Sequence, residues 1–437
     1  MFSNPSRRTV VLIWLGWVVI MLAYHTWVPA RFNVLRPDRV LFWTAGSTRP
    51  GGAQDQKYYL QDPFLSSHVA WDSEYYLAIA IGGYEDPNVD RVGEFNGIVS
   101  TGPGFWPFVI PPNAISRQGV SLSYAFFPFY PLMIRLLSLP LSLLGMTPMA
   151  TGALAGVIIS MLGTLAAMLA LFELAQAELG ESGALRAAFY LLIFPGSFFL
   201  AEVYTEGLFV GLAFSSLAFL YRGHRGWAAV LGVMATFTRA VGVLLVIPML
   251  LSWVQEGEWM ELDLEWRQLY FKGLPWKAIG HALVVIAPAL AFQIWRSSYY
   301  GLAFGRVEAE FFGRGFLSLS STYAAWSDAL QSFGGDNPQT AAYYAVEVGA
   351  IILAFTACIY WMRRQPGIAW FGLLLVVLSF TSGPAQGMHR YVLGAPPVFL
   401  FLSHWGRKPV FDRVWTLAST LVMGIMATMY IFDMWAG

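Results

Sequence analysis

Three observations in the sequence predict an all-α polytopic membrane protein. Of the 437 residues, 57% are apolar or aromatic and only 12% are charged, about half the roughly 25% found in soluble domains. The apolar residues fall into charge-free runs of helix length, and a bilayer-spanning helix takes about 20 of them. The charges balance, with 26 basic against 26 acidic residues, so no single-sign field points to nucleic acid. The lone cysteine, Cys358, sits in an apolar run and reads as a packing residue. Neither a disulfide framework nor a thiolate metal site can be built from it.

The elements follow in order. Thr9 to Trp27 is uncharged and follows Arg7 and Arg8. Its length, and the lack of a small-residue cleavage site after it, make it a retained first span over 9–28 rather than a signal peptide. The arginine pair places the N-terminus in the cytoplasm, so the segment 29–123 lies on the opposite face. That segment is polar, rich in Gly and Pro, and holds Asp55, Asp62, Asp72, Glu74, Glu85, Asp86, Asp90 and Glu94. A loop of this length is functional or disordered. Its aromatics, among them Trp71, Tyr75, Tyr76, Tyr84, Phe105 and Trp106, predict a folded loop resting at the interface.

The bundle over 124–437 contains further apolar runs, the first from Leu136 to Phe172. That run is too long for one span, and Pro140, Gly145 and Pro148 are the places to break it. Counting all runs gives about 11–13 helices in a single integral membrane domain. The basic turns at Arg222 to Arg225, Arg363 to Arg364 and Arg407 to Lys408 read as cytoplasmic. The turn 202–206, a break at Arg239, the loop 299–340 and the stretch 381–390 then share the outer face with the first loop.

Asp72, Glu74, Arg135, Glu202, Glu206, Arg239, His389 and Arg390 therefore gather on one side. Ionisable groups at membrane depth face a cavity, a partner or a pathway. Snorkelling at helix ends is the alternative, above all for Arg135 and Arg390. Around Asp72, the residues Trp71, Tyr75, Ala78, Ile79 and Gly82 recur at helical spacing and predict a short amphipathic helix on the membrane surface. Asp72 then has two readings. It is a cap satisfied by backbone N–H groups, or a carboxylate poised to take a proton from a hydroxyl.

Glu74 points about 200° away from Asp72 on a helix, which suits a supporting or solvated role better than a paired one. Glu202 and Glu206 share a helix face and either bind acceptor hydroxyls or pair with Arg239. His68, Asp72 and Glu74 offer one nitrogen and two carboxylates, but no two-histidine zinc pattern is present, so no metal is expected. No Walker or Rossmann glycine pattern occurs, so no nucleotide cofactor is expected either.

The run Trp71-Asp72-Ser73-Glu74-Tyr75-Tyr76-Leu77-Ala78-Ile79-Ala80 with Gly83-Tyr84 resembles the first-loop signature of the PIG-V family, the mannosyltransferases that add the second mannose to glycosylphosphatidylinositol precursors, with their prokaryotic relatives. Phe126-Phe127-Pro128-Phe129-Tyr130-Pro131-Leu132-Met133-Ile134-Arg135 resembles a second family block. Phe194-Pro195-Gly196-Ser197 through Tyr204-Thr205-Glu206-Gly207-Leu208-Phe209 resembles a third. Weaker matches lie at Ala235 to Arg239 and at His389-Arg390-Tyr391. The blocks follow the family's order over roughly residues 70–400. Two departures stand out: Gly207 where the family often has Ser, and the stretch Glu85 to Gln118, which matches no family block.

The resemblance implies the GT-C fold of glycosyltransferases, with a large first non-cytoplasmic loop carrying the catalytic acid. It implies a donor of the polyprenyl (dolichyl-type) phosphate mannose kind, and inverting transfer to a hydroxyl of a lipid-linked or glycan acceptor. Asp72 is then the candidate base. Arg239, Arg390, Arg135 and His389 are candidates for the donor phosphate. Glu74, Trp71, Tyr75, Glu202, Tyr204 and Glu206 are candidates for acceptor contact or support. Two other readings stay open. One is a lipid-sugar flippase or transporter, which predicts internal repeats that the sequence lacks. The other is a GT-C enzyme with another sugar or a protein acceptor. The membrane expected is the plasma membrane of a prokaryote or the endoplasmic reticulum of a eukaryote, with the active site on the non-cytoplasmic face. A partner subunit is neither required nor excluded by these residues.

Overall fold

The computed structural model describes residues 5–34, 38–44, 56–92, 119–255, 260–263, 268–271 and 276–437. Helices dominate. Two short antiparallel ladders pair Arg91–Val92 with Val120–Ser121 and Met260–Asp263 with Gln268–Phe271. The predicted first span is helix α1, Pro5–Arg31. The helix predicted around Trp71 to Gly82 is α2, Ser73–Ile81, but Ser73 through Ala80 are all buried in protein. It does not rest on a surface. Its apolar residues face every direction, and a helix apolar all round is packed inside a bundle. Asp55, Glu94, Phe105, Trp106 and the rest of 93–118 lie outside the described residues.

The expected break of the long run Leu136 to Phe172 is present. Helix α3, Phe129–Leu141, is followed by a turn in which Gly145 takes a left-handed φ of 71°. Helix α4, Pro148–Ile193, begins where the Thr147 side chain accepts from the amide of Ala150, with proline at the first helical position. Its 46 residues would reach about 69 Å as one rod, far more than the roughly 30 Å of bilayer hydrocarbon. The rod is interrupted at Gly180, whose φ of 68° and ψ of 179° are open to glycine alone. The Thr164 hydroxyl donates to the Leu200 carbonyl and the Ser160 hydroxyl to the Tyr204 carbonyl, so the chain doubles back at Gly180 and the two apolar runs that read as separate in sequence are two helices.

Helix α5, Thr205–Tyr221, lies against α4 at backbone contact. A Cβ on Gly207 would overlap the carbonyl of Ser160, one on Gly163 the carbonyl of Gly207, and one on Gly211 the carbonyl of Gly163. Small residues spaced this way let membrane helices pack most closely. At Gly207 this crossing leaves no room for a side chain.

Helix α6, Arg225–Thr238, stops at Arg239, whose backbone is extended (φ −150°, ψ 140°). A 3-10 turn over Ala240–Leu245 leads into α7, Val246–Gln255, giving the expected break at Arg239. Helices α8, Trp276–Arg296, and α9, Tyr299–Glu310, follow. The remainder comprises α10, Leu319–Gln331, α11, Pro338–Trp361, α12, Pro366–Phe380, α13, Met388–Tyr391, α14, Pro396–Trp405, and α15, Pro409–Ile431.

Among the described residues, four helices (α1, α4, α11 and α15) are long and apolar enough to cross a membrane. The pair α8 and α9, bent by 79°, passes as a fifth, and four shorter apolar stretches lie over Phe129–Leu144, Thr205–Tyr221, Ala240–Gln255 and Pro366–Phe380. The chain is a multi-pass helical membrane protein. Among the described residues, the spans counted by length are fewer than the apolar runs because several runs form helices of only 10–17 residues.

Ion pairs fix the two ends of the bundle. Glu173 accepts from Arg7 at 2.7 Å and from Arg222 at 2.8 Å, and Gln365 donates to the Leu174 carbonyl. The N-terminal arginines and the basic turns at 222–225 and 363–364 therefore share one end. The ionisable residues of the candidate site lie at the other.

Candidate active site

At that other end, a cavity of about 1260 Å³ opens between the first loop, the start of α5, the Arg239 break, α9 and α13. Asp72, Glu74, Glu206, Arg239, Arg314 and Arg390 line it, among aromatic and aliphatic side chains. Sequence spacing left Asp72 either a helix cap or a reacting group. It stands at the cap position of α2, yet its side chain makes no capping hydrogen bond. Arg390 donates from Nη1 to Asp72 Oδ2 at 3.0 Å, with the carboxylate 23% exposed and the arginine 7%. The carboxylate faces the cavity.

Its backbone is held from behind. The Asp72 amide donates to the Tyr204 hydroxyl at 3.2 Å, and that hydroxyl donates to the Ala70 carbonyl. Trp71, just before, has a left-handed φ of 52°, a strained conformation for a bulky residue and one that clusters at functional sites. Its ring lines the cavity beside Trp43 and Trp435, packed edge to face against both. Tyr75 lines the cavity too, stacked on Phe126 at 4.6 Å.

Glu206 pairs with Arg239, as one of its two readings had it, and at 3.3 Å with Arg390 Nε. Its Oε2 is buried and has no hydrogen-bond partner among the described residues. Three guanidiniums crowd one phenol, since Arg239, Arg314 and Arg390 stand 5.0, 5.3 and 5.3 Å from the ring centre of Tyr391. Burial alone would raise the Tyr391 hydroxyl, but Arg314, Arg390 and Arg239 outweigh it and hold it below its ordinary range. Such a cluster draws anions, because guanidinium forks match phosphate oxygens.

Glu74 lies across α2 from Asp72, as its spacing required. It pairs with Lys57 at 3.3 Å, and Lys57 also reaches Asp90 at 2.9 Å. Burial pushes the Glu74 carboxyl up, with Lys57 opposing it. Burial would lower the Lys57 ammonium, but Glu74 and Asp90 more than offset it and the net shift is upward.

Four expected site residues lie outside the cavity lining, one of them Tyr204, which holds the Asp72 backbone from behind. Arg135 is exposed on α3, the snorkelling alternative. His389 is fully buried against Glu347, 3.1 Å from Nδ1 to Oε2. The same glutamate accepts from the Gly387 and His389 amides at 2.7 and 2.9 Å, fixing the start of α13 from which Arg390 projects. Glu202 is sealed away with His25 and His68. The metal-type grouping considered in the sequence, His68 with Asp72 and Glu74, is not assembled, because His68 turns to Glu202. Sequence reading missed Arg314, Glu308 and Lys57. All three are charges beside aromatic runs, but they lie far from the motifs in sequence.

No protein-family model matches the chain. Over 244 residues, 55% of this chain and 40% of the other, it is 29% identical to GPI alpha-1,6-mannosyltransferase 2 of Mus musculus. The chain resembles a GPI mannosyltransferase. The matched part spans less than half the length of that relative. This similarity accords with the motifs around Asp72, Arg135 and Glu206. Among solved structures, the Archaeoglobus fulgidus oligosaccharyltransferase in the apo form gives a TM-score of 0.45 at 13% identity, covering 98% of this chain and 56% of the other. The archaeal oligosaccharyltransferase AglB of the same organism, in complex with an inhibitory peptide and a dolichol-phosphate, gives 0.39 at 13% identity, covering 96% and 55%. Likeness at that level carries no inference.

Proposed function

We propose that the protein is an inverting glycosyltransferase that moves mannose from a polyprenyl-phosphate mannose donor to a hydroxyl of a lipid-linked or glycan acceptor. The observation that carries this reading is Asp72 at the cavity wall, uncapped and held by Arg390 beside a cluster of arginines. The similarity to a mannosyltransferase supports it.

In the proposed step the acceptor oxygen attacks the anomeric carbon, the new glycosidic bond forms, and the bond to the phosphate oxygen breaks. The acceptor proton passes to Asp72, and the polyprenyl phosphate leaves as an anion. Arg390 holds Oδ2, which leaves Oδ1 for the incoming hydroxyl. A phosphate leaving group needs no acid, only positive charge where its own charge grows. Arg239, Arg390 and Arg314 supply that charge. Each guanidinium has five N–H donors, so the carboxylates already paired with them leave others for the phosphate. Glu206 Oε2 is the second candidate for an acceptor hydroxyl, and Trp71 and Trp43 offer sugar-stacking faces.

The arginine-rich turns at the opposite end from the cavity support a non-cytoplasmic cavity face, by the positive-inside bias. The experiment is transfer of labelled mannose from synthetic polyprenyl-phosphate mannose by protein in nanodiscs, with membrane lipid extract as acceptor and Asp72→Asn beside wild type. Label in a new lipid with wild type alone supports the reading. Donor binding without turnover in any lipid or peptide extract would overturn it in favour of a flippase.

A further inference from the structure

We infer that His25, His68 and Glu202 form a buried divalent-cation site of the zinc type, separate from the cavity, that fastens the Asp72 loop to the membrane bundle. One ligand atom from each lies within 4.8 Å of the other two, and all three residues are buried. The three come from different parts of the chain: His25 from α1, His68 from the first loop four residues before Asp72, and Glu202 from the turn between α4 and α5.

The hydrogen bonds around the rings point to a cation. His25 Nδ1 lies 2.9 Å from the Ser67 carbonyl, which can only accept, so that nitrogen carries the hydrogen. His68 is bonded on its far side to the Ala201 backbone, while its Nδ1 faces Glu202 Oε2 at 2.9 Å. In a neutral imidazole one nitrogen donates and the other presents a lone pair. Both rings thus spend their hydrogens on backbone carbonyls and turn their lone pairs toward a carboxylate. Ligand histidines are oriented in this way, by an outer hydrogen bond that fixes the tautomer.

Left alone, the arrangement is frustrated. His25 Nε2 and Glu202 Oε1 lie only 3.1 Å apart, yet each is buried without a hydrogen-bond partner among the described residues. Protons could relieve both rings only by charging both. The rings are stacked at 4.2 Å and 13° from parallel, so that would place two like charges face to face in a sealed site, which is costly. One dication satisfies both lone pairs and the carboxylate together. Two histidines and one glutamate are an established zinc donor set, at about 2.0–2.2 Å from the metal. The Val203 amide donates to the His68 carbonyl at 3.1 Å, so the ion would tie the loop and the 202–206 turn together. This inference does not depend on the transfer reaction.

The test uses the full chain with any histidine tag removed, purified in nanodiscs, stripped with a chelator and reloaded with zinc chloride alone. About one zinc per chain is expected to survive gel filtration, and cobalt(II) in its place should show the visible bands of a low-coordinate site. His25→Gln and Glu202→Gln should each weaken zinc binding by about 100-fold or more, whereas Asp72→Asn should keep it. Wild type that retains no zinc and gives no cobalt bands overturns the inference, and needs no variant to fold. Equal zinc retention in His25→Gln and Glu202→Gln overturns it as well.

Discussion

Glu202 and Glu206 stand four residues apart on one turn, yet they live in different chemistry. Glu206 faces the cavity and is met by arginines, whereas Glu202 is sealed and met by histidines. The same split recurs at His389 and Arg390, adjacent residues of which the first pairs with buried Glu347 and the second reaches the cavity. The difference follows from the side chains. Arginine stays charged in a protein, so it belongs where a carboxylate or an incoming anion answers it. Histidine sheds its charge when buried, so it suits a sealed joint. Around the cavity, arginine–carboxylate pairs line the wall, and histidine–carboxylate pairs are buried behind it.

Substitutions on the two sides should therefore separate activity from stability. The largest effect is expected at Asp72→Asn, which should lower transfer by about 10²- to 10⁴-fold with unchanged thermal unfolding. Near-normal turnover in a folded preparation would remove Asp72 as the base. Arg390→Lys loses the fork that joins Asp72 to Glu206. It should lower kcat by about 10²-fold, and a loss confined to KM would instead make Arg390 a binding residue.

On the framework side, Gly207→Ser should destabilise by about 1–3 kcal/mol by overpacking against Ser160, measured as a lower denaturation temperature with kcat preserved in the folded fraction. The smallest effect is expected at Arg135→Ala, within about 0.5 kcal/mol in stability and with donor use unchanged. A clear rise in KM for the donor would bring Arg135 back to the phosphate.

Much of this was legible in the residues. Charge bias alone put the basic turns at one end and Asp72, Glu206, Arg239 and Arg390 at the other, because long-range orientation depends on composition at helix ends. The breaks at Gly145 and Arg239 were legible too, through glycine and a lone charge in apolar runs. The break at Gly180 was legible as well, because the polar stretch Glu173 to Arg186 separates two apolar runs. The burial of α2 was hidden because its aromatic pattern fits a surface helix and a packed one equally. The parting of Glu202 from Glu206, and of His389 from Arg390, depends on α1 and α11 arriving from distant sequence with His25 and Glu347. No window around either motif contains those partners.

The volume of the cavity has a kinetic consequence. At about 1260 Å³ it exceeds the roughly 300–1,000 Å³ of a site for one small ligand, and the polar wall at Asp72 and the arginines is shared by the whole space. Under the proposed reaction that space would hold both substrate head groups, and the sugar would pass directly from one to the other, with no glycosylated protein between. Initial rates measured against both substrates should intersect as for a ternary complex, and donor alone should give no burst of released polyprenyl phosphate.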